Sequence, residues 1–189
     1  MNIKIDAEVK LYLHGIVAGI LTDCVKEKKS LQELKFKNPS NSFLLEKCGA
    51  FVTYYKMEKG QKKLRGCIGF MAQEYPLWET VARMAYAAAL EDTRFYPITE
   101  DELEFITWEI TILTPFVPCS LDEIIIGTHG ILLELYNKRA VFLPQVAIEQ
   151  GWTKEETLNQ LALKAGLPQN AWQDKNTKFY SFEGIILAK

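Results

Sequence analysis

Apolar residues near the start of the chain recur every three or four positions. Leu13, Val17, Ile20 and Cys24 fall on one face of a helix. Asp6 stands just before the periodic segment, where an N-cap is expected. The spacing predicts an amphipathic helix packed on a core, with Cys24 as part of its apolar stripe.

The next pattern is typical of a hairpin followed by a helix. Residues 49–57 (GAFVTYYKM) are rich in β-branched and aromatic side chains and predict a strand. The turn signal at 58–61 follows, and 64–70 returns as a second strand. Pro76 then begins a predicted helix that continues to about Glu91.

The same order of elements recurs later in the chain. Residues 130–136 and 139–143 predict another hairpin around Asn137-Lys138, and Pro144 begins another short helix. This shared rhythm is consistent with a diverged duplication.

Strands that pair as hairpins, with helices between the pairs, favour an α+β fold with a mainly antiparallel sheet over a doubly wound parallel sheet. The clearest strand is 105–113, in which apolar and polar positions alternate, and a closing strand is predicted at 179–187. We expect one domain over 1–189. It is either undivided or made of two lobes, which contain the hairpin–helix units of about 49–91 and 130–165.

Composition and charge narrow the class of protein. Hydrophobic residues make up 48% and charged residues 24%, as in ordinary globular domains. The net charge is −2 and the positive residues are scattered, which argues against the basic stripe of a duplex-binding protein. No apolar run is long enough to span a membrane. We therefore expect neither nucleic acid nor a membrane as a partner.

The cysteines argue against both a disulfide framework and a zinc site. The four are Cys24, Cys48, Cys67 and Cys119; no two form a C-x-x-C pair, and the chain has only two histidines. A reducing, cytoplasmic compartment fits this pattern best. We expect no bound metal and no cofactor.

The stretch KKLRGCIGF, 62–70, contains the principal candidate for chemistry. Alternation along a strand places Leu64 and Ile68 on the core face and Arg65 and Cys67 on the other face. A fixed cation two residues away, about 6.6 Å along a strand, favours the thiolate, so Cys67 is a candidate nucleophile. This argument requires that Arg65 does not turn away to a carboxylate. The alternative is a packed thiol, since cysteine is among the most buried residue types.

Two glycines flank this cysteine. Gly66 and Gly69 remove side chains from a predicted strand, which often marks the close approach of a ligand. A bulge or a tight helix contact is the alternative reason for them.

Other polar residues are weaker candidates. Glu109 lies mid-strand on the polar face, either as a general base or as part of a solvated face. Asp92 and Arg94 form a local ion pair or anchor a substrate, and Arg94 suits a carboxylate or phosphate. His129 is a catalytic partner for Cys67 or a turn residue.

Gln145, after Pro144 at a helix start, either donates to a ligand or caps the helix.

The hexapeptide LRGCIG at 64–69 resembles the hallmark of the AMMECR1 domain family. The likeness continues in order through GAFVTYY, AALEDTRFYPIT, WEITIL, THGILLE, FLPQVAIEQGW and LKAGLPQNAW, over about residues 8–187. The resemblance implies a compact α+β domain of two lobes with a cleft lined by the hexapeptide. Prokaryotic members of the family are often found with a radical-SAM protein and a Memo-like protein, which implies a three-component system for an unknown modification.

Two positions depart from the family pattern. Thr93 stands where many relatives have proline, and Ala162 stands where we expect a cysteine in many prokaryotic relatives. The second departure argues against a dithiol mechanism.

Two hypotheses follow. The first is a cysteine-dependent enzyme or enzyme subunit acting on a small anionic substrate, with Cys67 as nucleophile, Arg65 as its cation, and Glu109 or His129 moving protons. The second is a non-catalytic module that uses the same cleft to bind a ligand or a partner protein.

Overall fold

The computed structural model describes residues 5–189 and has an α+β fold. Its helices are α1 (Ala7–Ile20), α2 (Leu77–Leu90), α3 (Pro144–Gln150) and α4 (Lys154–Lys164). Its strands are β1 (Ala50–Glu58), β2 (Gln61–Phe70), β3 (Ile106–Leu113), β4 (Val117–Cys119), β5 (Gly130–Leu135), β6 (Lys138–Phe142), β7 (Lys178–Phe182) and β8 (Gly184–Ala188). The strands form two mainly antiparallel sheets, ordered β2-β1-β3-β8 and β4-β7-β5-β6, which confirms the predicted fold class.

The chain divides into two compact units. The first unit runs to Leu113 and takes up Ile185–Lys189 again at the end of the chain, and the second unit is Thr114–Gly184. None of the helices in residues 5–189 is long and apolar enough to cross a membrane.

The core of the first unit lies between its sheet and the helices α1 and α2. The side chain of Asp6 accepts a hydrogen bond from the backbone N–H of Val9 at 2.8 Å, which confirms the predicted N-cap. Alternate residues of β1 and β3 are buried, and Cys24 is buried with the apolar stripe of α1, as predicted. Tyr54 is fully buried, and its hydroxyl donates to the carbonyl of Ala85 in α2 at 3.2 Å.

The hairpin of β1 and β2 contains one extra residue. Tyr54 pairs with Gly66 and Tyr55 pairs with Leu64, so Arg65 is an unpaired bulge residue. A one-residue shift moves side chains to the opposite face. Leu64 therefore lies on the polar face with 45% of its surface exposed, and the prediction that it belongs to the core is wrong.

The second unit packs α4 on the hairpin of β5 and β6, whose pairing is regular from Leu135–Lys138 to Ile131–Phe142. A capping box begins α4: the side chain of Thr153 accepts from the backbone N–H of Glu156 at 3.2 Å.

The predicted closing strand at 179–187 is wrong in one respect, because it is two strands in different sheets. Glu183 separates β7 from β8. Its backbone N–H and C=O bond to Thr114, at 2.8 and 2.9 Å, instead of continuing a ladder.

Candidate functional site

Cys67 lies on β2, the edge strand of its sheet, and both of its main-chain polar groups have partners. Its N–H donates to Asp92 Oδ2 at 2.9 Å, and its carbonyl accepts from Arg94 Nη2 at 2.8 Å. Asp92 and Arg94 therefore bond to the edge as a neighbouring strand would.

Asp92 and Arg94 also bond to each other. Arg94 donates to the two carboxylate oxygens of Asp92 through Nε and Nη2, at 2.9 and 2.7 Å. The side chain of Asp92 is 4% exposed and that of Arg94 is 55% exposed. Hydrogen bonds from Arg94 and from the backbone N–H of Cys67 hold the pKa of Asp92 well below its usual range. The local ion pair is thus present, and substrate anchoring by Arg94 stays a prediction.

Arg65 does not accompany the thiol, so the expected pairing of Arg65 with Cys67 is wrong. The bulge redirects its guanidinium to Glu102, which accepts from Nε at 3.0 Å and from Nη2 at 2.9 Å. Its remaining donors bond to the carbonyls of Tyr96 and Pro97. The condition set for a cation-stabilised thiolate is therefore not met by this residue.

Glu102 is the centre of a separate network in the first unit. Besides Arg65 it accepts from Lys56 Nζ at 3.0 Å and from the backbone N–H of Thr99 at 3.1 Å. These bonds, led by those from Arg65, lower the pKa of Glu102 to about 2. A substrate-binding role for Arg65 stays a prediction, but the structure gives this side chain a stabilising one.

The sulfur of Cys67 faces Thr53. Thr53 Oγ1 donates to Cys67 Sγ at 3.2 Å. Thr53 pairs with Cys67 on β2 and with Glu109 on β3, so the three side chains form a row across three strands on the polar face. Sequence reasoning missed Thr53, because the bulge at Arg65 decides which residue of β1 lies opposite the cysteine.

Glu109 is a half-buried carboxylate at the far end of that row. It accepts from the hydroxyl of Tyr55 at 3.2 Å and from Lys62 Nζ at 3.1 Å. Burial, and then the charge of Glu109, raise the pKa of Tyr55 to about 12. Because two strand spacings amount to roughly 10 Å, Glu109 reaches Cys67 only through a substrate or another intervening group.

Both glycines beside the cysteine have packing reasons. A Cβ at Gly66 would lie 2.2 Å from the carbonyl oxygen of Ala88 in α2, and a Cβ at Gly69 would lie 2.0 Å from the ring of Phe51. The tight helix contact considered for Gly66 is therefore present. A role in substrate binding for either glycine stays a prediction.

A surface pocket of about 600 Å³ lies beside this strand within the first unit. It is lined by Arg65, Thr93, Arg94, Phe95 and Tyr96. All three donor nitrogens of Arg65 have partners, whereas Nη1 of Arg94 bonds to no protein group of residues 5–189. Arg94 is thus the cation of this pocket with donors to spare for an anion.

His129 and Gln145 belong to the second unit. Nδ1 of His129 accepts from the backbone N–H of Ile125 at 3.2 Å, so the ring closes a local turn. Gln145 is exposed in the first turn of α3. Their catalytic and ligand-binding roles stay predictions. Across residues 5–189, no group of three or more His, Cys, Asp or Glu side chains is placed to hold a metal ion.

Comparisons with known proteins cover most of the chain. The model of the family AMMECR1 matches residues 16–187. A protein of Aquifex aeolicus is 39% identical over 167 residues, which cover 85% of this chain and 82% of the relative. Protein PH0010 of Pyrococcus horikoshii is 34% identical over 193 residues, 98% of this chain and 92% of the relative.

The crystal structure of the same PH0010 protein supports the fold. It is 31% identical in the structural comparison, covers 96% of this chain and 91% of its own, and has a TM-score of 0.75. The names of the Aquifex aeolicus and Pyrococcus horikoshii proteins state no activity.

Proposed function

This chain belongs to the AMMECR1 family, and we propose that it is a cysteine-dependent enzyme, or a subunit of one, that acts on a small anionic substrate. Cys67 is the nucleophile, Arg94 binds the anionic group, and Glu109 accepts a proton.

The observation that carries this proposal is the double contact of Arg94. Nη2 of its guanidinium donates to the carbonyl of Cys67, Nη1 has no protein partner in residues 5–189, and the residue lines the pocket. An anion bound there lies beside the residue that carries the thiol. Guanidinium donors suit carboxylate and phosphate oxygens.

The chemical step is an addition to an electrophilic carbon of the substrate. The thiol proton leaves, by way of the substrate, to the carboxylate of Glu109, and the sulfur lone pair forms the S–C bond. The carbon belongs to a carbonyl group, and the electron pair of its C=O π bond moves to the carbonyl oxygen, which becomes an alkoxide. Half-burial of Cys67 and of Glu109 leaves both side chains within reach of a small molecule.

Mass spectrometry tests the proposal directly. The protein is incubated with the small-molecule fraction of a cell extract, and adducts on Cys67 are sought by intact mass and peptide mapping. We expect an adduct on the wild type, none on Cys67→Ser, and at least tenfold less on Arg94→Met.

Arg83→Met is the matched control, because Arg83 also pairs with a nearby carboxylate, that of Glu79, at 2.6 Å. Loss of the adduct in this control, or no adduct on the wild type together with slow alkylation of Cys67, would reject the proposal.

A second candidate is a non-catalytic module that binds an anionic ligand in the same pocket. It is favoured by the diversion of Arg65 to Glu102, which leaves the thiol without its expected cation. The two candidates separate in Cys67→Ser: a binding module retains full affinity and function in this variant, whereas the enzyme retains binding and loses turnover.

The proposal includes a cytoplasmic location and work with a radical-SAM protein and a Memo-like protein. Fractionation of cells that express the tagged wild-type chain tests the location, and affinity purification from the same cells tests the association. Capture of these two proteins supports the three-component system, and their absence from a crosslinked preparation rejects physical association.

A further inference from the structure

In the part of the chain that the structure describes, the side chain that hydrogen-bonds to the sulfur of Cys67 is the uncharged Thr53, and the guanidinium of Arg94 is the cation near it. Thr53 Oγ1 lies 3.2 Å from Sγ. Other charged or titratable groups near this position are the Asp92–Arg94 pair at the strand edge, and Tyr55 and Glu109 on the polar face of the sheet. The guanidinium of Arg94 is close enough to interact with the ionised sulfur, whereas Asp92, Tyr55 and Glu109 make no hydrogen bond to it.

The backbone explains why these two side chains meet. The N–H and C=O of Cys67 point outward to Asp92 and Arg94, so Cys67 and Thr53 form a non-hydrogen-bonded pair. Cα atoms in such a pair are closer, about 4.5 Å apart, than in a hydrogen-bonded pair. The β-branched side chain of threonine also has few χ1 choices in a strand. The hydroxyl is therefore held against the sulfur by the strand itself.

A hydroxyl in this position responds to the protonation state of its neighbour. It rotates to accept from a thiol and to donate to a thiolate. Donation to an ionised acceptor is the stronger of the two bonds. Thr53 therefore favours the thiolate without adding a charge to the face.

We propose that Thr53 is the positioning residue for Cys67: its hydroxyl stabilises and orients the thiolate. Sequence reasoning had given the stabilising role to Arg65. The inference rests on the proposed function for its catalytic meaning, and the donor role itself is measured separately.

The test is the pH dependence of iodoacetamide alkylation at Cys67, followed by peptide mass spectrometry, in Thr53→Val and Thr53→Ser. Valine keeps the branched shape and removes the hydroxyl, and serine restores the hydroxyl. We expect the pH midpoint of labelling in Thr53→Val to rise by about one unit, with labelling near neutral pH about tenfold slower. Thr53→Ser should stay within about twofold of the wild type.

Thr107→Val is the matched control, because Thr107 lies on the same face of β3 and makes no hydrogen bond to the sulfur. A midpoint in Thr53→Val equal to those of Thr53→Ser and Thr107→Val would overturn the inference. Circular dichroism verifies that each variant is folded.

The outcomes also separate this inference from the proposed function. A fast-labelling wild type that Thr53→Val leaves unchanged overturns the inference and keeps the nucleophile. A wild type that labels like free cysteine, with Thr53→Val slower still, keeps the donor and rejects the nucleophile.

Discussion

The β1–β2 and β5–β6 hairpins are both antiparallel pairs, and they differ in the regularity of their pairing. In the first, β1 and β2 carry an extra residue, Arg65, and a dense set of side-chain bonds along the outer edge and the polar face. In the second, β5 and β6 pair without a shift, and their central side chains simply alternate. An interrupted register allows the first hairpin to send Arg65 and Cys67 to different partners, which a regular ladder would not do.

The difference extends to what lies against each hairpin. A Cβ at Gly66 would meet the backbone of α2, whereas a Cβ at Gly130 in β5 would meet the ring of Phe182. A main-chain carbonyl in a helix cannot move without distorting the helix, whereas a ring can turn about its own side-chain bonds, even though that of Phe182 is buried. The first hairpin is therefore the more tightly constrained of the two.

The largest expected effect tests this constraint. Gly66→Ala should destabilise the protein by about 3 kcal/mol or more, because its Cβ would lie 2.2 Å from the carbonyl oxygen of Ala88. Gly130→Ala should cost less, about 2 kcal/mol, since its clash is with a side chain, the buried ring of Phe182, and not with a main-chain carbonyl. Urea denaturation measures both. Equal losses would show that the two hairpins are equally constrained and remove the contrast.

Much of this architecture follows from the sequence, and the exceptions have a local cause. Period-2 alternation identified the buried face of β3, and period-3.6 spacing identified the stripe of α1. The two-residue turn at Lys59-Gly60, both with positive φ, also agrees with a hairpin signal.

The candidate site was harder to predict because alternation assumes a constant register. The turn alone would place Gly66 opposite Thr53, and the bulge puts Cys67 there instead. No residue pattern within β2 predicts the bulge, because the side chain of the bulged residue, Arg65, bonds to a carboxylate that is distant in the sequence, that of Glu102. The Asp92–Cys67 contact is likewise tertiary, since its partners are 25 positions apart in the sequence.

The second prediction concerns the strand edges. Asp92→Asn should cost about 2–3 kcal/mol, because the amide group cannot accept the full set of bonds from Arg94 and the N–H of Cys67. Arg139→Ala, on the exposed edge strand β6, should change stability by less than about 0.5 kcal/mol. A cost below 0.5 kcal/mol for both would mean that the Asp92–Arg94 pair does not support the first hairpin.

The pH dependence of stability provides a separate test of the contacts that Asp92 makes at the edge of β2. The folded pKa of Asp92 lies below its ordinary value of 3.8, so the unfolded chain takes up this proton first as the pH falls. The contribution of Asp92 is therefore complete above about pH 5 and is lost as the solution is acidified through pH 4 and below. Stability in Asp92→Asn should fall less steeply over that range, and an unchanged slope would contradict the assignment.

The smallest expected effect tests whether the polar face of the first hairpin is electrically coupled. Tyr55 should ionise near pH 12, and Glu109→Gln should lower that pKa, because removing the carboxylate charge makes the phenolate less unfavourable. The pKa should remain above 10, since burial is the larger cause and persists. Absorbance near 295 nm follows the titration, with Tyr55→Phe subtracted and folding monitored by circular dichroism. Glu134→Gln, the same substitution in β5 of the regular hairpin, should leave the Tyr55 titration unchanged; a shift of equal size there would mean that net charge, and not the contact between Glu109 and Tyr55, sets this pKa.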